Sequence, residues 1–379
     1  MREAITYITG GESHGPALTT LIRGLPAGFT LDIEALNYQL WRRQQGYGRG
    51  DRMKIEKDQV AVLSGLRNSM TLASPLTLMV QNKDFQNWQN HMDPVEADVS
   101  FKVTVPRPGH ADHAGITKYA FDDIRNVLER ASARETGARI LPGAVCRQFL
   151  EDLDIHIYSH ITQLGKVKYK ASELDKALLK KAELSDVRCV DEKLAEAMRA
   201  EIDAVKSAGD SIGGVFQIIV FGLPPALGSY VHWDDKLSSA IAAEIMGLQA
   251  IKGIAFGDGF EAADKRGSEY HDPFVLEDGK VTRTSNHAGG LEGGMTNGQP
   301  LIFSAIMKPI PTLSKPLDSF DIESMVKVEA HKERSDTCAL PAAAVVAENI
   351  IARPILNAIL ARYGGDRWEK IKERFQEDE

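Results

Sequence analysis

Stretches of strand composition and stretches of helical periodicity follow one another in this chain without the strand–helix–strand rhythm that a doubly wound parallel sheet requires. The expected fold class is therefore α+β. Short strands are read at Ile5 to Ile8, Gln59 to Leu63, Leu76 to Val80 and Gly214 to Phe221. Asp32 stands where it would cap a helix carrying Ile33, Leu36 and Leu40 at helical spacing. Further helices are expected from Asp122 to Arg134, Gly143 to Leu153, Asp234 to Gly247 and Pro341 to Arg362. The last has Pro341 near its first turn and a kink expected at Pro354. The stretch at about 170–210, rich in Ala, Glu, Lys and Leu, reads as a peripheral helical excursion with no site-like cluster. The charged tail after Arg367 is expected to fray.

Neither a long Pro/Ser/Gly linker nor a repeat of fixed period divides the 379 residues, so a single domain over 1–379 is expected. With 43% hydrophobic and 26% charged residues, usage is that of a globular chain rather than a disordered one. The 45 Lys and Arg against 53 Asp and Glu leave a net charge of -8. That balance disfavours nucleic acid or an anionic membrane as partner, and an anionic ligand would need a local basic pocket. Cys146, Cys189 and Cys338 are far apart and odd in number, so neither a disulfide framework nor a cysteine zinc site is expected. No apolar signal region opens the sequence, and no stretch reaches about 18 uninterrupted apolar residues. The expected setting is the cytoplasm.

Several Gly- or Pro-framed segments fall outside any periodicity. Gly10-Gly11-Glu12-Ser13-His14-Gly15-Pro16 follows a strand and sets a histidine between glycines. It reads either as a polar turn or as a general acid held where backbone approaches a ligand closely. The run 42–52 carries Arg42, Arg43, Arg49 and Arg52 among three glycines. A solvated loop, a nucleic-acid arm and an anion clamp are all open readings. Pro106-Arg107-Pro108-Gly109-His110-Ala111-Asp112-His113 fixes a second histidine. No third ligand stands beside His110 and His113, so an acid–base histidine is preferred to a metal site and no metal is expected.

Arg130, Arg134 and Arg139 are spaced to share a helix face beside Ser132, either for a ligand or for i,i+4 charge pairs. Five glycines between Gly289 and Pro300 offer backbone N–H groups as an anion nest. Met307-Lys308-Pro309-Ile310-Pro311-Thr312 is a rigid lysine-bearing turn, and Arg334-Ser335-Asp336 sets an anion binder beside an acid or base. Together these segments point to a deep cationic pocket for a polyanionic small molecule, with acid–base groups inside.

In this order the motifs GESHG, RRQxGYGRG, RPGHAD, RxSARET, GGxEGGMTNGQP, MKPIPT and ERSD make the sequence resemble the chorismate synthase family over nearly its whole length, in its bacterial, monofunctional type. The resemblance implies a β-α-β sandwich of antiparallel sheets with surrounding helices, assembled as a homotetramer. It implies conversion of 5-enolpyruvylshikimate 3-phosphate to chorismate and phosphate, the final step of the shikimate pathway. The reaction is a 1,4-anti elimination that needs reduced FMN without net redox change. By motif, Arg43, Arg49, Arg107, Arg134 and Arg334 would hold the substrate anions or the flavin phosphate. Ser132, Ala133, Arg134, Gln249, Ala250, Gly293, Lys308, Pro309, Ile310, Pro311, Thr312 and Arg334 would form the flavin site. His14 would protonate the departing phosphate, His110 would stabilise charge near flavin N1, and Asp336 would assist proton removal at N5. No reductase region is visible, so an external flavin reductase or reduced-flavin supply is expected. The competing readings are a flavin oxidoreductase on a phosphorylated substrate and a non-enzymatic anion-binding protein.

Overall fold

The computed structural model describes residues 4–50, 57–169, 175–331 and 335–378. Its first sheet contains β1 (Thr6–Gly10), β2 (Ala17–Arg23), β3 (Val60–Ser64) and β4 (Leu76–Gln81), in the order β1-β2-β4-β3 with every pair antiparallel. Strand alternation buries Leu18, Thr20 and Ile22 of β2 and leaves Thr19, Leu21 and Arg23 exposed. The second sheet contains β5 (His156–Leu164), β6 (Gly214–Phe221), β7 (Ile251–Phe256) and β8 (Leu301–Met307). Its order is β7-β8-β6-β5, again antiparallel, with Val167–Lys168 as a short outer strand.

The longer helices are α1 (Ile33–Gln44), α2 (Asp112–Tyr119), α3 (Arg125–Ala131), α4 (Thr136–Glu151), α5 (Lys176–Ala182), α6 (Glu192–Ser207), α7 (Leu237–Met246), α8 (Leu340–Ile350), α9 (Ala352–Tyr363) and α10 (Trp368–Glu377). Asp32 caps α1 as expected, its carboxylate accepting from the N–H groups of Glu34 and Ala35. Helix α4 packs on β2 of the first sheet, α8 packs on β5 and β6 of the second, and α4 and α8 pack on each other with α1 and α9 alongside. The α+β class and the antiparallel sheets are as expected. The main helices lie between the sheets more than around them. One apolar cluster runs through this layer from Ile5 to Phe375. Leu340–Tyr363 is long and apolar enough to cross a membrane, but its apolar window is wholly buried inside the protein.

Several boundaries differ from the sequence reading, each for a local reason. The helix expected from Asp122 to Arg134 stops at Ala131, because Ser132 turns extended. The helix expected from Gly143 begins at Thr136 and carries Pro142 inside it. Pro142 has no N–H to give the Ala138 carbonyl, and the buried Thr20 hydroxyl donates to that carbonyl instead (2.8 Å). At Gly143 a Cβ would sit 2.1 Å from the Asn349 carbonyl oxygen, so glycine lets α4 and α8 cross backbone to backbone. The apolar segment from Pro341 divides into two helices at Ile351, three residues before Pro354. The tail does not fray: Trp368, Ile371 and Phe375 of α10 form one buried stripe.

The excursion holds two helices over its described part, α5 and α6, capped by Asp175 and Asp191. It also contributes to a structural charge network. Glu183 and Arg188 enter a buried network with Arg42, Arg147 and Glu348. Thr20→Val is expected to leave the Ala138 carbonyl without a donor and to cost about 1–3 kcal/mol, read as a lower denaturation midpoint with unchanged denaturant slope.

Candidate active site

The turn between β1 and β2 carries His14, and three side chains hold it. Arg130 donates to the carbonyls of Gly11 (3.0 Å) and Thr9 (3.1 Å), and Asn82 Nδ2 donates to those of Glu12 (3.1 Å) and Gly15 (2.7 Å). Glu129, at the end of α3, accepts the His14 backbone N–H (2.8 Å) and lies 2.9 Å from His14 Nδ1. The His14 ring lies 4.2 Å from the Trp88 ring, centroid to centroid, and Arg125 stands over the same indole. Ser132 Oγ reaches Ser13 Oγ (3.2 Å).

Because the chain breaks at Ser132, Arg130, Arg134 and Arg139 do not share a face. Arg130 props the His14 turn, and Arg139 turns to Tyr7, Glu244 and Gly247. Arg134 points inward, donating to Asn82 Oδ1 (2.9 Å) and Asp58 Oδ2 (2.6 Å). Arg43, on the last turn of α1, joins it from the other side: Nε donates to Thr136 Oγ1 (2.8 Å), Nη2 to the Ala133 carbonyl (3.2 Å), and Nη1 lies 3.5 Å from Asp58. Arg49 pairs with Asp336 (3.0 Å), which also accepts the Gly50 N–H (2.6 Å). Burial pushes the Arg43 guanidinium down, Asp58 counters it, and Arg134 and Arg49 add to the push, leaving it at about 10. The run 42–50 is thus anchored rather than a free arm. Arg42 points into the protein, and Thr337 N–H bonds the Gly48 carbonyl (2.9 Å). Arg52 and Arg334 lie outside the described residues.

A second constellation forms where α2 begins. Asp112 accepts from the Arg107 backbone N–H (3.0 Å) and Nε (2.9 Å), and lies 2.5 Å from His110 Nδ1. Burial opposes ionisation of Asp112, but its hydrogen bonds to His110 and Arg107 outweigh burial and hold the carboxyl well below the usual range. Arg107 Nη1 continues to Thr312 Oγ1 (3.2 Å). Lys308 Nζ donates to the Gly109 carbonyl, and Lys308 N–H to that of Ala250 (2.9 Å). Ser211 Oγ donates to the Ile310 carbonyl (2.6 Å), which pins the Pro309–Ile310–Pro311 turn. Gln249 Nε2 donates to Glu135 (3.0 Å) at the edge of a cavity of about 460 Å³ that Thr9 and Arg130 also line. His113 faces Phe320 instead of His110.

The structure therefore gathers the candidate residues into local groups around His14 and Arg134, around Arg49 and Asp336, and around His110 and Arg107, with two exceptions. Arg334 is one, being undescribed. Gly293 is the other: it sits in a hairpin where an added Cβ would meet only Tyr230 (3.9 Å). The N–H groups of Gly289 and Gly290 are also taken by Asn286, so these two are not the open anion nest expected.

A family model for chorismate synthase matches residues 5–360. The chain is 51% identical to a chorismate synthase of Geobacillus sp. (strain WCH70) over 98% of this chain and 97% of that one. It is 48% identical to one from Bacillus subtilis (strain 168), with the same coverage. A crystal structure of chorismate synthase superposes with a TM-score of 0.79 at 36% identity, covering 99% of this chain and 97% of that chain. The chain belongs to the chorismate synthase family. Its activity is that of a carbon–oxygen lyase of aromatic amino-acid biosynthesis, acting on 5-enolpyruvylshikimate 3-phosphate. Chorismate synthases are flavin-dependent, and the polar set here suits a phosphate-bearing cofactor: Arg43 Nη1 and Gln249 Oε1 are buried without a hydrogen-bond partner.

Asp58, Asn82, Trp88 and Glu129 have no role in the sequence reading, yet each binds a candidate residue. Asp58 and Asn82 lie in ordinary polar surroundings that carry no local signal. Asn82→Ala is expected to lower kcat by about 10²-fold through displacement of the His14 turn and Arg134. Thermal denaturation should show a loss of only about 1–3 kcal/mol, which separates misplacement from unfolding.

Proposed function

We propose that reduced FMN and 5-enolpyruvylshikimate 3-phosphate share this pocket, and that the chain's own groups place the substrate and move its protons. The observation that carries the reading is charge. Arg43, Arg49 and Arg134 gather around Asp58 and Asp336, and burial, with the neighbouring Arg134 and Arg49, pushes the Arg43 guanidinium down. A substrate with two carboxylates and a phosphate suits such a cluster, because guanidinium forks bind both groups.

Reduced FMN, when bound, supplies the electron chemistry for cleaving the allylic C–O bond and removing the C6 hydrogen without net redox change. Arg43, Arg49, Arg107, Arg134 and Arg334 hold the substrate anions or the flavin phosphate. Ser132, Ala133, Gln249, Ala250, Gly293 and the turn from Lys308 to Thr312 hold the flavin. His14 would give its proton to the departing phosphate, and His110 would stabilise charge near flavin N1 when the cofactor is bound. Asp336, fixed by Arg49 and the Gly50 N–H, would assist proton removal at flavin N5 when the cofactor is bound. The chain acts as a single domain over 1–379, in a homotetramer in the cytoplasm, and draws reduced flavin from an external supply. Exposed Ile8, Trp233 and Phe260 offer apolar surface for contacts between copies.

The test is anaerobic phosphate release from 5-enolpyruvylshikimate 3-phosphate while chorismate absorbance is followed, with and without chemically reduced FMN. Equimolar phosphate and chorismate only with reduced FMN, and no turnover with oxidised FMN and NADPH in air, are expected. Stoichiometric flavin oxidation would turn the reading to an oxidoreductase, and no turnover by folded protein would turn it to an anion binder.

A further inference from the structure

Each histidine of the site leans on a buried carboxylate through the same ring atom. His14 Nδ1 lies 2.9 and 3.0 Å from the two oxygens of Glu129, and His110 Nδ1 lies 2.5 Å from Asp112 Oδ1. Glu129 is 2% exposed and Asp112 is 1% exposed. An arginine grips each carboxylate in turn: Arg125 Nη1 is 3.1 Å from Glu129 Oε1, and Arg107 Nε is 2.9 Å from Asp112 Oδ2. A backbone N–H completes each set, from His14 onto Glu129 and from Arg107 onto Asp112. The helices that carry the two carboxylates, α3 and α2, pack together around Val103, Ile116, Ile124 and Leu128.

We infer that Glu129 and Asp112 are positioning residues that fix the tautomer and ring plane of His14 and His110, making Nε2 the atom of each ring that exchanges protons. The inference rests on the roles given to the two histidines under Proposed function. An ionised carboxylate offers only acceptor sites, so the hydrogen shared with Nδ1 belongs to the ring. At His110, Arg107 Nη2 also lies 3.1 Å from Nδ1. The contact to Asp112 is much the shorter, 2.5 Å, which favours a hydrogen bond from Nδ1 to Asp112 and leaves the Arg107 donors to Asp112 and Thr312. The arginine and the backbone N–H occupy the remaining lone pairs, so neither carboxylate can rotate away from its histidine. At His14 the Trp88 ring adds a wall that holds the imidazole plane. The same three-part device, built twice from unrelated residues around the two candidate acid–base groups, is what separates positioning from incidental ion pairing.

The experiment is magic-angle-spinning ¹⁵N spectroscopy of the full-length protein labelled at its ten histidines, at mildly alkaline pH. His14→Gln and His110→Gln difference spectra assign the two rings. Both rings are expected to carry the proton on Nδ1. In Glu129→Gln and Asp112→Asn an amide N–H faces Nδ1, so the affected ring should move its proton to Nε2. Then kcat should fall by about 10²-fold or more, with KM changed by less than about threefold. A wild-type ring protonated on Nε2 overturns the inference, and that spectrum decides the matter even where an amide variant fails to fold. A switched tautomer with kcat intact, or a loss confined to KM, also overturns it. Wild-type turnover beside unaffected amide variants removes the positioning role and leaves the functional reading standing. Absence of chorismate from the wild type removes both.

Discussion

The carboxylate of Glu348 sits at the centre of the helical layer with no solvent exposure. Arg42 from α1 (2.7 Å), Arg147 from α4 (2.9 Å) and Arg188 (2.7 Å) converge on it, and Ser159 of β5 donates a further hydrogen bond. Burial alone drives such a group toward its neutral form, but the three guanidiniums outweigh burial and hold the carboxyl far below its usual range. Leaving a buried charge of this kind unpartnered costs about 3–5 kcal/mol. The cluster therefore fixes how α1, α4, α8 and β5 meet.

That constraint reaches the active site through one peptide bond. Arg42 and Arg43 are neighbours on α1, and the helix screw sends their side chains apart. Arg42 is locked onto Glu348, Gln39 and Glu183, which sets the rotation of the last helical turn. Arg43 is thereby aimed at Thr136, Ala133 and Asp58. Glu183, which belongs to the excursion, thus helps place an active-site guanidinium that it never touches. Arginines held this way meet an anionic substrate already oriented, without reorganisation at the moment of reaction.

Chemistry framed by glycine and proline is legible in a sequence, because those residues mark places where backbone must turn or approach closely. His14, His110, Arg43, Arg49 and Arg107 stand in such frames. Asp58 follows Lys57 in a plain polar stretch, Asn82 ends a strand, and Trp88 lies in a short irregular segment. Their roles come from contacts with residues far along the chain, and no local pattern encodes those. Glu348 and Asn349 are similarly hidden inside an apolar helix. Pro142 misleads for the opposite reason: proline in a helix normally reads as a boundary, but here the Thr20 hydroxyl from another element donates to the Ala138 carbonyl that Pro142 leaves free. In α10 the stripe of Trp368, Ile371 and Phe375 was present in the sequence, but the surrounding charge obscured it.

The break at Ser132 shows how a small local preference shapes the site. A continuous helix through this stretch would place Arg130 and Arg134 one turn apart on a single face. Instead Ser132 is extended, its hydroxyl accepts the Arg134 N–H (3.3 Å), and one tight turn from Ala133 to Glu135 leads into α4. The interruption exposes the Ala133 carbonyl, which accepts both the Arg43 Nη2 donor and the Thr136 hydroxyl. It also turns Arg134 toward Asp58 while Glu135 faces Gln249. Serine suits this position because its short hydroxyl competes with backbone for N–H groups at helix ends. Three arginines within ten residues of sequence therefore take three separate tasks, and the inward one reaches the acid–base turn through Asn82.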